Sequence, residues 1–488
     1  MAGVTEVGAC YGVAIVGAGF GGLAMAHALK RDGVDNIVIF ERGSGVGGTW
    51  RQNVYPGAAC DVPSHLYSLL FAPNPHWSRT YAGQAEILAY VERSYAALDV
   101  LRHVRVNTAI TGAVWDDQAG LWELTAGSGE RCRARVVVFA TGTFHTPTTP
   151  NLPDLEQFGG RIVHSARWDA TLDLTGLRVG VVGTGASAIQ LVPALAGRAD
   201  HVDLFQRTPA WILPRYNAPY TDEQRLAFAS DPARARAHRQ ELHDRFEQAT
   251  TFLTGDPTAA AIEKAAQQYL EASVPDPELR HRLTPAYPFG CKRVLISSDF
   301  YPALQRTDVE LVTTPIERIG PHGVRLTDGS ERPADVLVLC TGFEASRYLN
   351  GIVVRGRGGA DLHDVWAGTP RAFHGVAVPG FPNLFMMYGP NTNQGGNSIL
   401  LILEAQAEFI ASGVQMLESP RAEALEVTPA AMERYLVELD RDLATTVWSG
   451  CDSYFRNEAG AVVTQLPATS GWYRRALEAV PPSDLGVH

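Results

Sequence analysis

No two of the six cysteines, Cys10, Cys60, Cys132, Cys291, Cys340 and Cys451, lie close together in the chain. That spacing argues against a disulfide framework, a zinc site and a redox dithiol, so no metal is expected, and it fits a reducing cytosol. Long apolar runs are missing as well: no stretch approaches the roughly 18 uninterrupted apolar residues of a membrane span. No basic segment precedes the first apolar stretch, so a signal peptide is not indicated and the expected location is cytoplasmic. Positive charge is not in excess either. A formal net charge of -11 opposes non-specific attraction to nucleic acid or to an anionic membrane surface. What remains is 488 residues of 45% hydrophobic and 19% charged composition, enough for about three domains by length.

Glycine is plentiful, and it is placed in two turns of one kind. Gly17-Ala18-Gly19-Phe20-Gly21-Gly22 follows the apolar run Val13-Ala14-Ile15-Val16, and Gly183-Thr184-Gly185-Ala186-Ser187-Ala188 follows Val179-Gly180-Val181-Val182. Each run reads as a buried parallel strand, and each turn opens an apolar helical stretch. In such a unit the first Gly permits the tight turn and the second lets the backbone approach a pyrophosphate. The third position keeps helix and strand close. Unpaired N–H groups at the helix N-terminus attract the phosphates. Two turns point to two dinucleotides.

The residue after the second strand separates the two cofactors. Ile37-Val38-Ile39-Phe40 ends at Glu41, whose carboxylate can accept hydrogen bonds from both hydroxyls of a free adenosine ribose, as FAD presents. The equivalent Val202-Asp203-Leu204-Phe205 ends in Gln206-Arg207-Thr208. An acid there would repel a 2′-phosphate, whereas Arg207 can pair with it in a fork, which favours NADPH over NADH.

The fold class expected is α/β, with two Rossmann-like dinucleotide-binding domains, for FAD and NADP, and a helical insertion in the NADP domain. Residues 1–145 are assigned to the first part of the FAD domain, 146–216 to the first part of the NADP domain and 217–286 to the insertion. Residues 287–340 return to the NADP domain and 341–488 to the FAD domain. Residues 43–100, rich in Gly, Pro and aromatics, suit a loop-built wall around a cofactor. Trp115 to Trp122 reads as a hairpin. Asp231-Pro232, Asp256-Pro257 and Asp276-Pro277 each place an N-cap before a proline at the first helical position. Ala140-Thr141-Gly142 is echoed by Cys340-Thr341-Gly342, and an apolar helix begins near Ser398.

Two nucleotide folds do not by themselves separate a disulfide reductase from an oxygenase, but a reductase needs two nearby cysteines. Two further patterns carry a resemblance. Phe158-Gly159-Gly160-Arg161-Ile162-Val163-His164-Ser165-Ala166-Arg167-Trp168-Asp169 matches F-x-G-x-x-x-H-x-x-x-W-[PD] at every fixed position. Gly47-Gly48-Thr49-Trp50, Tyr55-Pro56-Gly57 and Asp61 match G-G-x-W, aromatic-Pro-Gly and Asp. With these the chain resembles the Baeyer-Villiger monooxygenases, class B flavoprotein monooxygenases dependent on FAD and NADPH. The resemblance covers most of the chain, including Phe205 to Pro209 and Lys292-Arg293; the insertion matches only in position and character.

The resemblance implies that reduced flavin reacts with O2 to a C4a-peroxide, which inserts one oxygen atom into a ketone to give an ester or lactone. Arg293 matches the catalytic arginine, and Asp61 the acid that holds it near the flavin. A buried anion is costly unless a fixed cation faces it, and arginine stays protonated at any working pH. Lys292 matches a contact to the NADP 2′-phosphate, beside Arg207 and Thr208. Gly17, Gly19, Phe20, Gly22, Glu41, Gly48, Thr49, Trp50, Tyr67 and Ile110 are the remaining expected cofactor contacts on the FAD side. Gly183, Thr184, Gly185, Ala186, Ser187 and Ala188 are those on the NADP side. His164 and Trp168 are expected to govern domain geometry. Thr143 stands where several relatives carry a Gln that contacts the nicotinamide cofactor, a departure from the pattern. Two other readings stay open: oxygenation of nitrogen or sulfur on the same scaffold, which does not need Arg293, and a nucleotide-binding sensor without turnover.

Overall fold

The computed structural model describes residues 9–249, 253–419 and 422–487; residues 250–252 of the expected insertion lie outside them. Two parallel units account for the glycine turns. Strand β1 (Cys10–Val16), helix α1 (Phe20–Arg31) and strand β2 (Ile37–Phe40) form the first. Strand β3 (Arg178–Val182), helix α2 (Ala186–Leu195) and strand β4 (His201–Phe205) form the second. In register, Val16 lies beside Phe40 and Val182 beside Phe205. Val13 to Val16 and Ile37 to Phe40 are buried without alternation, as strands covered on both faces are.

Each unit anchors its own sheet. The first has eight strands, in the order Val353–Arg355, Ile110–Asp116, Leu121–Ala126, Arg131–Phe139, β1, β2, Val104–Arg105, with Leu384–Met386 also paired to Arg131–Phe139. The second has five, all parallel: Val309–Val312, β4, β3, Val336–Leu339 and Arg161–His164. The repeated Ala-Thr-Gly and Cys-Thr-Gly turns now have a physical reason. Gly17 (φ 112°) faces the Ala140 carbonyl, where a Cβ would come within 2.4 Å of the oxygen; Gly183 (φ 108°) faces that of Cys340, where the gap would be 2.5 Å. Each glycine turn is thus wedged against the end of the neighbouring strand. Gly17→Ala is expected to remove FAD, since a Cβ clash with backbone is added to a left-handed φ that costs about 1–3 kcal/mol outside glycine. The absorbance of the purified protein in the flavin band checks this.

The chain crosses between the sheets twice, and the two crossings hold one another. Thr148 N–H donates to Gly342 O at 2.9 Å, Glu344 N–H to Thr146 O at 3.0 Å, and the Thr341 hydroxyl to Thr148 O at 2.6 Å.

Four helices fill the stretch after β4: Asp222–Ser230, α3 (Pro232–Gln248), α4 (Pro257–Ser273) and Pro277–Leu283. Asp231, Asp256 and Asp276 each accept an N–H two residues on, with proline at the start of the helix. The insertion divides between the sheets. Leu242 of α3 joins the core of the first unit, whereas Leu270 and Val274, with Leu279 and Leu283, join that of the second. Helix α5 (Ile399–Met416), capped by Ser398, is long and apolar enough to cross a membrane by length and composition, but 67% of it is buried, and it packs along α1 in the core.

Two expectations are corrected. The wall at residues 43–100 is not all loop, because Gln84–Ala97 is a helix that buries Ile87, Tyr90, Val91, Ser94 and Tyr95, a spacing of three and four that marks one helical face. Cysteine spacing in sequence also misled. Cys291 and Cys451, 160 positions apart, form a disulfide, because the C-terminal return of the chain brings residues 447–456 against the turn before Lys292. Proximity made by the fold leaves no trace in spacing, so the unpaired cysteines inferred from sequence no longer speak for a reducing compartment.

Candidate active site

At the first glycine turn, α1 begins after Gly19 with no side-chain cap and no acid in its first turn, so its N–H groups are free for an anion. A Cβ on Gly22 would fall 2.1 Å from Gly17 O; this position is closed by packing. Gly19 differs, since its Cβ would meet only Gly48 Cα at 3.6 Å, and that of Gly185 nothing within 4 Å. Space is therefore left at the middle glycine of both turns, where a pyrophosphate fits. The buried Glu41 carboxylate is aimed by Ala18 N–H at 2.8 Å and Gly43 N–H at 2.7 Å, next to that opening. Thr108 N–H donates to Glu41 O at 2.8 Å, and buried Ile110 begins the strand that follows.

The Gly47-Gly48 turn lies on Gly19: a Cβ on Gly48 (φ 52°) would come within 3.0 Å of Gly19 Cα. Thr49 and Trp50 open the short helix Thr49–Gln52. Trp50 Nε1 donates to Tyr67 Oη at 3.1 Å, and the Tyr67 ring meets Phe20 edge-on at 5.4 Å. Burial pushes the Tyr67 phenol well above its ordinary pKa, so it stays neutral. Gly19, Gly48, Trp50, Tyr67 and Phe20 are thus in mutual contact, and Gly22 is closed by packing.

On the second unit, the Thr184 hydroxyl donates to Thr208 O at 2.7 Å, tying the glycine turn to the strand end that carries Arg207. Gly185 and Ala186 are exposed, Ser187 is half-buried and Ala188 is packed inside. Desolvation, and then Arg207, lowers the pKa of Lys292, whose ammonium lies 4.8 Å over the Tyr287 ring. Among the described residues neither cation has an ion-pair partner. Two unpaired like charges side by side make a site for an anion.

Arg293 and Asp61, 232 positions apart, are joined through one carboxylate oxygen: Nε to Oδ2 is 2.9 Å and Nη2 to Oδ2 is 2.6 Å. Asp61 raises the guanidinium pKa against the opposing effect of burial. Tyr454 Oη accepts the Arg293 N–H at 3.3 Å. Both members of the pair, with Lys292, line a cavity of about 160 Å³ whose wall is mostly apolar, including Phe246 and Ile262 of the insertion, Phe289, Trp448 and Phe455. Asn397 and Gln465 add neutral polar groups.

The two halves meet at Tyr55-Pro56-Gly57. Tyr55 Oη donates to Gln190 Oε1 at 2.8 Å, and a Cβ on Gly57 (φ 82°) would come within 2.4 Å of Gln190 O. Trp168 is buried and shares a small cavity with Pro56. His164 Nδ1 accepts the Ala166 N–H at 3.0 Å, its Nε2 lies 3.4 Å from the Thr341 hydroxyl, and burial lowers its pKa. Both signature residues therefore stand at the junction, away from the Arg293–Asp61 pair. Sequence reading missed Tyr454, Asn397, Gln465 and the aromatic wall, which come from separate helices and loops far apart in the chain and share no spacing.

Two dinucleotide cradles flanking a braced guanidinium and an apolar cavity define a flavin oxidoreductase of the two-nucleotide class. Residues 15–83 match the NAD(P)-binding Rossmann-like domain family. A Baeyer-Villiger monooxygenase of Streptomyces coelicolor is 39% identical over 97% of this chain and 92% of its own. The crystal structure of cyclohexanone monooxygenase from Rhodococcus sp. Phi1 bound to NADP+ superposes with a TM-score of 0.88 at 30% identity, covering 98% of this chain and 99% of that one. OTEMO in complex with FAD and NADP gives 0.89 at 27%, with the same coverage. The chain belongs to the Baeyer-Villiger monooxygenases, and it is an FAD- and NADP-dependent flavoprotein.

Proposed function

We propose that this protein converts a ketone, O2, NADPH and a proton into an ester or lactone, water and NADP+, with Arg293 as the catalytic cation and Asp61 as its brace. The observation that carries this reading is the Arg293–Asp61 pair set in the wall of an apolar cavity. FAD, held at the Gly17–Gly22 turn and by Glu41, supplies the two-electron chemistry that activates oxygen. The protein's own contribution is electrostatic. As oxygen adds to the carbonyl carbon, negative charge develops on the ketone oxygen, and a fixed guanidinium in a poorly solvated cavity stabilises that charge without reorganising. Asp61 holds the planar group by two hydrogen bonds, so its orientation is set before substrate arrives. The aromatic wall excludes water and takes up the hydrocarbon part of the ketone. Arg207 and Lys292 receive the 2′-phosphate of NADPH, with the Thr184–Thr208 hydrogen bond tying the glycine turn to the segment that carries Arg207.

The test is NADPH oxidation that accelerates with a ketone and returns the ester in matching amount. Oxidation yielding only hydrogen peroxide with cyclic, aromatic and long-chain ketones alike contradicts the reading. Asp61→Asn is expected to lower ester turnover about 10–100-fold, since it weakens charge-assisted hydrogen bonds of about 1.5–3 kcal/mol, with little change in the KM for NADPH. Steady-state kinetics with each substrate varied in turn check that split.

A further inference from the structure

Helix α3 carries Arg239, His243 and Glu247 at intervals of four, which places all three on one side, a turn apart. That side faces the first unit although the helix is inserted in the second. Arg239 Nη2 reaches Ser68 O at 3.3 Å and the buried Glu404 carboxylate at 3.8 Å. His243 Nε2 lies 3.4 Å from Ser470 Oγ. Glu247 accepts from Gly471 N–H at 2.8 Å on Oε1, and on Oε2 from the Ser470 hydroxyl at 2.9 Å and Asn397 Nδ2 at 2.9 Å, with Thr469 adding to the cluster. Ser470 and Gly471 form the first turn of helix α6 (Ser470–Glu478), where a negative charge is favoured. Burial opposes ionisation of Glu247, but these hydrogen bonds outweigh it and the carboxyl pKa is lowered.

Asn397 is fixed at both ends of its amide, because its Oδ1 accepts the Ser398 N–H at 2.8 Å. Asn397, with Gly395 and Gly396, lines the cavity that holds Arg293 and Asp61, and so do Phe246 of α3 and Ala249 just past its end, on either side of Glu247 in the chain. One carboxylate therefore joins the insertion's share of the wall to the loop of Gly395 to Asn397 that also lines it. We propose that Glu247 is a positioning residue for oxygenation, locking Phe246 and Asn397 relative to each other so that the ketone is held against Arg293. This rests on the reading of the cavity given above.

The geometry requires a carboxylate. Gly471 N–H points at one oxygen and Asn397 Nδ2 at the other, so the amide of Glu247→Gln turns its own NH2 toward one of them and leaves a donor facing a donor. In the FAD-loaded enzyme, E247Q should raise the KM for a ketone about tenfold, the effect of a lost charge-assisted hydrogen bond, and divert NADPH to hydrogen peroxide. Anaerobic reduction of the flavin by NADPH should stay within about twofold, because the NADPH cations are untouched. Asn397→Ala should show the same defect, and the double variant no more than either alone. Hydrogen exchange gives a readout apart from activity: in E247Q the segments around 243–249, 396–400 and 469–473 should exchange faster together. E247Q matching wild type in KM and coupling, additive losses in the double variant, or faster exchange confined to α3 would each overturn the proposal. If E247Q releases FAD, the test passes to Glu247→Asp, which keeps the charge on a shorter arm and should retain FAD while raising the KM for the ketone; a KM equal to wild type overturns the proposal. A wild type that forms no ester sinks the reading of the cavity and this proposal with it, whereas a coupled wild type beside a coupled E247Q sinks this proposal alone.

Discussion

Replacing Arg293 by Ala is expected to lower ester formation about 10²–10³-fold, the usual cost of removing one group that stabilises a developing oxyanion. Among the described residues the guanidinium is the one cation paired with Asp61 at the cavity wall, and its loss leaves Asp61 facing substrate with an unpaired negative charge. That charge repels the one forming on the ketone oxygen, so the effect exceeds the removal of a single hydrogen bond. FAD should remain bound, since Glu41 and the Gly17–Gly22 turn lie outside the substitution. NADPH oxidation should continue, with hydrogen peroxide replacing the ester. Arg293→Lys should recover only part of the rate, because an ammonium keeps the charge but cannot form the two-toothed contact with Asp61 Oδ2. Product and peroxide assayed in the same reactions, with flavin absorbance for bound FAD, check these four outcomes.

The Arg207→Ala/Lys292→Ala double variant is expected to shift the ratio of kcat/KM for NADPH over NADH by about 10²–10⁴-fold. This is the sum of two contacts of about 1.5–3 kcal/mol each to a phosphate. The loss should fall on NADPH alone, leaving NADH almost unchanged, because both cations serve the 2′-phosphate. Either variant alone should lose less than half of the logarithmic effect, since removing one cation also relieves the repulsion that lowers the Lys292 pKa. The pH dependence follows from the same shift. A lysine with a lowered pKa loses its charge sooner as pH rises. The preference for NADPH should therefore weaken at alkaline pH in wild type, and weaken less in Lys292→Ala. A preference that tracks neither residue would place the phosphate elsewhere.

Much of the architecture could be read locally, and the reasons are local. The two glycine turns need a left-handed φ or a missing Cβ at Gly17, Gly22 and Gly183, and such demands are visible in sequence. The Asp-Pro helix starts are equally self-contained. The helix Gln84–Ala97 was hidden by the glycines and prolines around it, although its own apolar spacing was present. The site was legible only through family signatures. Nothing in composition or spacing joins Arg293 to Asp61, because the folding of one half upon the other creates the contact. The Tyr55 bond to Gln190 and the closeness of Gly57 to its carbonyl give the Tyr55-Pro56-Gly57 segment its physical role: it is the face on which the second unit rests. The disulfide Cys291–Cys451, the aromatic wall and the Glu247 cluster depend on long-range returns of the chain, and no local pattern announces them.

Central to the account is that Arg293 directs activated oxygen into the carbonyl. The most direct test supplies ¹⁸O2 to wild type and Arg293→Ala with the same ketone and NADPH. Wild type should place one labelled oxygen in each ester formed, one per NADPH consumed, while Arg293→Ala should put the label into hydrogen peroxide at a similar rate of NADPH use. Labelled ester formed as efficiently by Arg293→Ala as by wild type would contradict it.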